Sequence, residues 1–92
     1  MTQTNVMLCA ATRTAIGAYG GALKDIPAPQ LGTTAIKEVL TRAKVTGETI
    51  DSVVMGHVVQ AGAKMNPARQ AAIGAGVPAS VPALTVNRVC GY

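Results

Sequence analysis

The chain has 92 residues, 49% hydrophobic but only 2% aromatic, with no Phe, no Trp and a net charge of +4. Its eight Lys and Arg residues are spread through every segment without a basic run or interleaved aromatics, which excludes a nucleic-acid platform. At this length it is at most one small domain; a core of Ala, Val, Ile, Leu and Met around ten glycines suits layered α/β packing and leaves apolar surface for a partner.

Taken in order, Met1-Thr2-Gln3-Thr4-Asn5 lacks the charged region of a signal peptide, and no apolar run reaches membrane-spanning length. Val6 to Ala11 is apolar at every position, which predicts a strand covered on both faces in a parallel sheet, with Cys9 as a small buried hydrophobe. Gly17, Gly20 and Gly21 then mark a loop that runs to Pro27 and carries no phosphate-loop pattern. Pro29 is placed as a first helical residue. Behind it Leu31, Ala35, Ile36, Val39, Leu40 and Ala43 form an apolar stripe, with Lys37, Glu38, Thr41 and Arg42 on the other face. This helix is expected to stop near Lys44, ahead of Gly47, with Glu38 and Arg42 paired on its solvent side.

Ile50 to Val59 predicts the second strand, with Gly56 as a bulge or close approach. His57, the only histidine, is expected within it among apolar neighbours, where a structural or interface role is preferred to general-base chemistry. Asn66-Pro67 reads as N-cap and first residue of a small-residue helix that ends toward Gly76, a glycine suited to a left-handed cap. Ala83 to Cys90 reads as the last strand, with Leu84, Val86, Arg88 and Cys90 on one side and Thr85, Asn87 and Val89 on the other. The polar Asn87 and Arg88 imply an edge position or side chains engaged in contacts. A cysteine at the C-terminal end of such a strand is a candidate nucleophile, and a helix following it would favour the thiolate. The order is β-α-β-α-β, with a mostly parallel sheet.

Two cysteines 81 positions apart do not make a secreted disulfide framework, so reduced thiols in a cytoplasmic compartment are expected. Together with one histidine they are too few for a metal site, so none is expected.

Four segments share a register with one family. Asn66-Pro67-Ala68-Arg69-Gln70-Ala71-Ala72, Val86-Asn87-Arg88-Val89-Cys90-Gly91, Arg13-Thr14-Ala15-Ile16-Gly17 with Gly20-Gly21, and Gly56-His57-Val58-Val59-Gln60-Ala61-Gly62 resemble the N-terminal region of thiolases. The resemblance covers nearly all of this chain and only the first part of a longer family chain. It implies that residues 1–92 are the N-terminal part of a thiolase N-terminal domain, a three-layer α/β unit incomplete in this chain. It also implies that Cys90 is the nucleophile: its thiolate attacks an acyl-CoA thioester to give an acyl-enzyme and free CoA. The acyl group then passes to a second acetyl-CoA, or in reverse a 3-ketoacyl-CoA is cleaved by CoA. The Cys90 backbone N–H would contribute to an oxyanion hole, about 10²–10³ in rate per donor.

CoA is on this reading a substrate and not a cofactor held by this chain. The activating histidine, the second cysteine and the CoA-binding loops are expected on a second polypeptide, in an assembly of dimers or tetramers, with His57 filling none of those roles. Three positions depart from the family pattern. Ala15 stands where proline is usual, Lys64-Met65 where Gly-Gln is common, and Tyr92 where a small residue follows Cys-Gly. A bulky Tyr92 would crowd the site, so a non-catalytic scaffold derived from a thiolase half-domain is the alternative. A decarboxylating condensing enzyme of the same superfamily fits the Asn66–Ala72 segment less well.

Overall fold

The computed structural model describes residues 3–91. Its elements run in the order α1 (Ala28–Ala43), a 3-10 turn (Gly47–Thr49), β1 (Val53–Gly56), α2 (Pro67–Gly74) and β2 (Ala83–Val86). The expected effect of Tyr92 falls on a residue outside that described range.

Helix α1 starts one residue ahead of the expected position, with Pro29 within its first two residues, and ends where Lys44 turns left-handed at φ 57°. The N–H of Val45 closes back on the Leu40 carbonyl at 3.2 Å, which satisfies an otherwise orphaned acceptor. Its apolar stripe is half-buried at every predicted position, and Lys37, Glu38, Thr41 and Arg42 are exposed. Arg42 Nε meets Glu38 Oε1 at 2.9 Å across one turn on the solvent side. In the 3-10 turn the Glu48 carboxyl is held below its ordinary value, first by a hydrogen bond with the Thr46 side chain and then by one with its own backbone. That contribution is present at neutral pH and is lost as pH falls through the lowered value.

Helix α2 opens as its sequence predicts. Asn66 is the N-cap, and its side chain accepts from the Arg69 N–H at 3.2 Å, with Pro67 first in the helix. At the other end Gly76 adopts φ 90°, with the Gly76 N–H bonded to Ile73 O and the Val77 N–H bonded to Ala72 O. This is a Schellman closure, and Val77 packs with Ala72 as that motif requires.

β1 and β2 pair in parallel, in register from Val53↔Ala83 to Gly56↔Val86, with α2 as the crossover between them. No bulge occurs at Gly56, because the register is continuous through it. The small side chains of α2 allow close layering, so Ala68, Ala71 and Ala72 are almost wholly buried. Gly32 of α1 lies in the seam, where a Cβ would come within 3.0 Å of both Ala71 Cβ and Met55 Cε. Ala72, Val77 and Val81 form the core cluster, flanked by Ile36, Leu40, Ile50 and Val53.

The α/β class and parallel pairing hold, but the first predicted strand does not form. Residues 6–11 pair with no described strand, and Val6, Met7 and Leu8 are 85%, 81% and 98% exposed. An all-apolar strand needs both faces covered, whereas residues 6–9 are exposed and Ala10 breaks the extended run at φ 56°. Cys9, expected to be buried, is therefore exposed. Two hydrogen bonds hold the end of this segment to α1: Thr12 Oγ1 donates to Ala35 O at 3.3 Å, and an Arg42 guanidinium N–H donates to Ala11 O at 2.9 Å.

Candidate active site

Because β1 and β2 are parallel and in register, the chain leaves both at the same edge of the sheet. The last rung is the His57 N–H donating to the Val86 carbonyl at 2.9 Å. Past it, the predicted continuation of β2 to Cys90 is replaced by a turn. The Gly91 N–H bonds back to Arg88 O at 2.9 Å, with Val89 and Cys90 at the tip. The two-sided alternation expected through Arg88, Val89 and Cys90 accordingly ends at Val86. A turn displays Cys90 more openly than a strand does, and the thiol is exposed and unpaired with Cys9.

The turn is under tension at one position. Val89 has φ 54°, a left-handed conformation that costs a β-branched residue on the order of 1–3 kcal/mol. The strain persists because Asn87 holds it. Asn87 Oδ1 accepts from the Val89 N–H at 2.8 Å, while its Nδ2 donates to Val58 O and to Gln60 Oε1, each at 3.0 Å. The polarity of Asn87, odd for a strand residue, is thus used within this chain. Turn hydrogen bonds engage the N–H groups of Val89 and Gly91, and among the described residues none engages that of Cys90.

His57 is placed just beyond β1 and not within it, half-buried, on a small hollow lined also by Gly32, Met55, Pro67 and Ala71. It therefore reaches the same sheet edge as Cys90 by way of the neighbouring strand.

Residues 66–70 act as a brace. Asn66 Nδ2 donates to Ala83 O at 3.1 Å, and Asn66 Oδ1 accepts from the Thr85 hydroxyl at 2.7 Å. Thr85 Oγ1 in turn accepts from the Ala68 N–H at 3.0 Å, so a strand side chain satisfies an orphan donor of α2. Arg69 reaches forward to the carbonyls of Val81 (2.8 Å) and Ala79 (2.6 Å), and Gln70 Nε2 reaches those of Ala63 (2.7 Å) and Met65 (2.8 Å). Each polar member of this stretch is spent on backbone groups that locate β2 and the loop before α2. Only the cap role of Asn66 was evident from the sequence. The roles of Arg69, Gln70, Gln60 and Thr85 depend on loops whose path no local signal predicts.

Residues 6–92 match the family described as thiolase, N-terminal domain. The chain is 56% identical over 88 residues to an acetyl-CoA acetyltransferase of Cupriavidus necator, covering 96% of this chain and 22% of that protein. It is 54% identical over 86 residues to a cytosolic acetyl-CoA acetyltransferase of Rattus norvegicus, covering 94% of this chain and again 22% of the relative. Among solved structures it resembles human mitochondrial 3-ketoacyl-CoA thiolase in complex with CoA, with a TM-score of 0.83 and 48% identity, over 89% of this chain and 21% of that one. The chain thus spans about a fifth of the length of the relatives it matches, and over that span it belongs to the thiolase family.

Proposed function

We propose that this chain supplies the nucleophile of an acyl-CoA C-acyltransferase, and that residues 1–92 are the N-terminal part of the thiolase N-terminal domain. The observation that carries the proposal is the position of Cys90: exposed, at the tip of a turn just past the C-terminal end of a parallel strand. A thiolate there attacks the carbonyl carbon of acetyl-CoA, the C–S bond to CoA breaks, and CoA departs as thiolate, leaving acetyl-S-Cys90. Exchange of one thioester for another is nearly balanced, so the step runs in either direction. The Cys90 N–H, outside the turn's own hydrogen bonds, is available to the oxyanion. The enolate of a second acetyl-CoA then takes the acyl group and regenerates the Cys90 thiolate; in reverse, CoA cleaves a 3-ketoacyl-CoA.

The groups that move protons in this scheme, and the CoA-binding surface, come from the thiolase portion outside this fifth of the family length, on a partner chain or on the same polypeptide. A dimer or tetramer of complete units, in the cytoplasm, is part of the same proposal. The cytosolic rat relative supports that location.

The test uses the chain assembled with the remaining thiolase portion, native or taken from the Cupriavidus necator relative. Incubation with acetyl-CoA, an acid quench and peptide mass spectrometry should find acetyl on the Cys90 peptide and none on that of Cys9. Absence of acetyl-Cys90, together with iodoacetamide labelling no faster at Cys90 than at Cys9, identifies a scaffold instead of an enzyme.

A further inference from the structure

We propose that Asn87 is a positioning residue for the nucleophile: it pins the turn that carries Cys90 to the segment leaving β1 and holds Val89 in its left-handed conformation. The proposal rests on Cys90 being the nucleophile. Backbone pairing between the two strands runs out at the His57–Val86 rung, and the next residue on the β2 side is Asn87. Its amide takes over where the ladder stops. One end donates to Val58 O and Gln60 Oε1 on the β1 side, and the other accepts from Val89 N–H inside the turn. Three bonds from one planar group fix the turn's distance and its tilt relative to the first strand.

The turn needs this hold because Val89, at φ 54°, is a poor residue for that conformation. Released, Val89 relaxes toward φ < 0, which rotates the following peptide and carries away both the Cys90 thiol and the Cys90 N–H. The Asn87 amide bonds to Val58, Gln60 and Val89, and it acts on Cys90 through the peptide unit that joins Val89 to Cys90.

The experiment is a double-mutant cycle in the assembled thiolase, using Asn87→Ala, Asn87→Asp, Val89→Gly and the combination of Asn87→Ala with Val89→Gly. Acetyl transfer is read as kcat and KM separately, and Cys90 alkylation is followed against pH with Cys9 as internal reference. Asn87→Ala is expected to lower kcat about tenfold or more with KM changed less than about twofold, since misplaced reacting groups lose the chemical step rather than binding. Asn87→Asp keeps the acceptor for Val89 N–H and should retain more activity than Asn87→Ala.

Glycine adopts φ > 0 without the Cβ clash, so the loss caused by Asn87→Ala should shrink in the Val89→Gly background. A residue that merely glued two loops together would show no such coupling. Equal losses in the two backgrounds, or a kcat and an alkylation profile unchanged by Asn87→Ala, overturn the proposal. If Asn87→Ala fails to assemble, Asn87→Leu, which also lacks the acceptor for the Val89 N–H, takes its place in the two Val89 backgrounds and is read in the same way. An active Cys90→Ala variant sinks the nucleophile assignment and this inference together, whereas an inactive one with an indifferent Asn87 sinks this inference alone.

Discussion

At Gly47 the chain passes so close to the turn after α2 that a Cβ would collide with the Gly76 carbonyl oxygen and the Val77 Cα. Both are backbone atoms, and Gly76 is fixed by its own left-handed conformation at the end of α2, so the clash is not relieved by a rotamer change. Gly47→Ala in the assembled protein is therefore expected to cost about 1–3 kcal/mol, read as a lowered urea midpoint. Single residues differ in how far their neighbourhood is local, and their legibility follows. Asn66 could be placed as a cap because its partners lie within three positions. Cys9 could not be placed correctly, because whether an apolar strand residue is buried depends on distant chain. For Cys90 the sheet edge was foreseen and the turn was not, since the left-handed Val89 has no signature in a β-branched residue.

Both helices were readable to within a residue or so because their signals are local: a 3.6-residue stripe, a proline near the start, a left-handed exit. Strands carry less local information, and here only the parallel sense of the β1–β2 pair was implied by the alternating elements, while the first predicted strand is interrupted at Ala10 and lies uncovered. Helix α2 shows how an element is held by groups its pattern does not reveal. Arg69 spans from α2 to the carbonyls of Ala79 and Val81, closing the loop that leads into β2. Replacing it by methionine keeps the aliphatic stem and removes the charge-assisted bonds. The expected loss is about 1–3 kcal/mol, with the midpoint of urea unfolding shifted and its slope unchanged.

Over the whole molecule the accessible surface is 7035 Å², against about 5,000 Å² for a compact protein of this mass. The radius of gyration is 14.4 Å, against about 12 Å for a compact chain of this length. Much of the excess is apolar: Val6, Met7, Leu8, Ile16, Val59, Leu84 and Val89 all exceed half exposure. The buried hydrophobic set is Ala68, Ala71, Ala72, Val77 and Val81, all small. Expressed by themselves, residues 1–92 are expected to bind an apolar dye and to melt without a cooperative transition, as followed by circular dichroism. A sharp two-state melt of the monomer would show instead that this small core suffices. The excess apolar surface was foreseen from composition, but its concentration in residues 6–8 was not.

The clamps around the sheet edge have one chemical property in common. Asn66, Gln60, Gln70 and Asn87 contribute carboxamides and Thr85 a hydroxyl, all of them uncharged hydrogen-bonding groups. The bonds these groups make around the turn that carries Cys90 involve no ion pair, so added salt does not screen them.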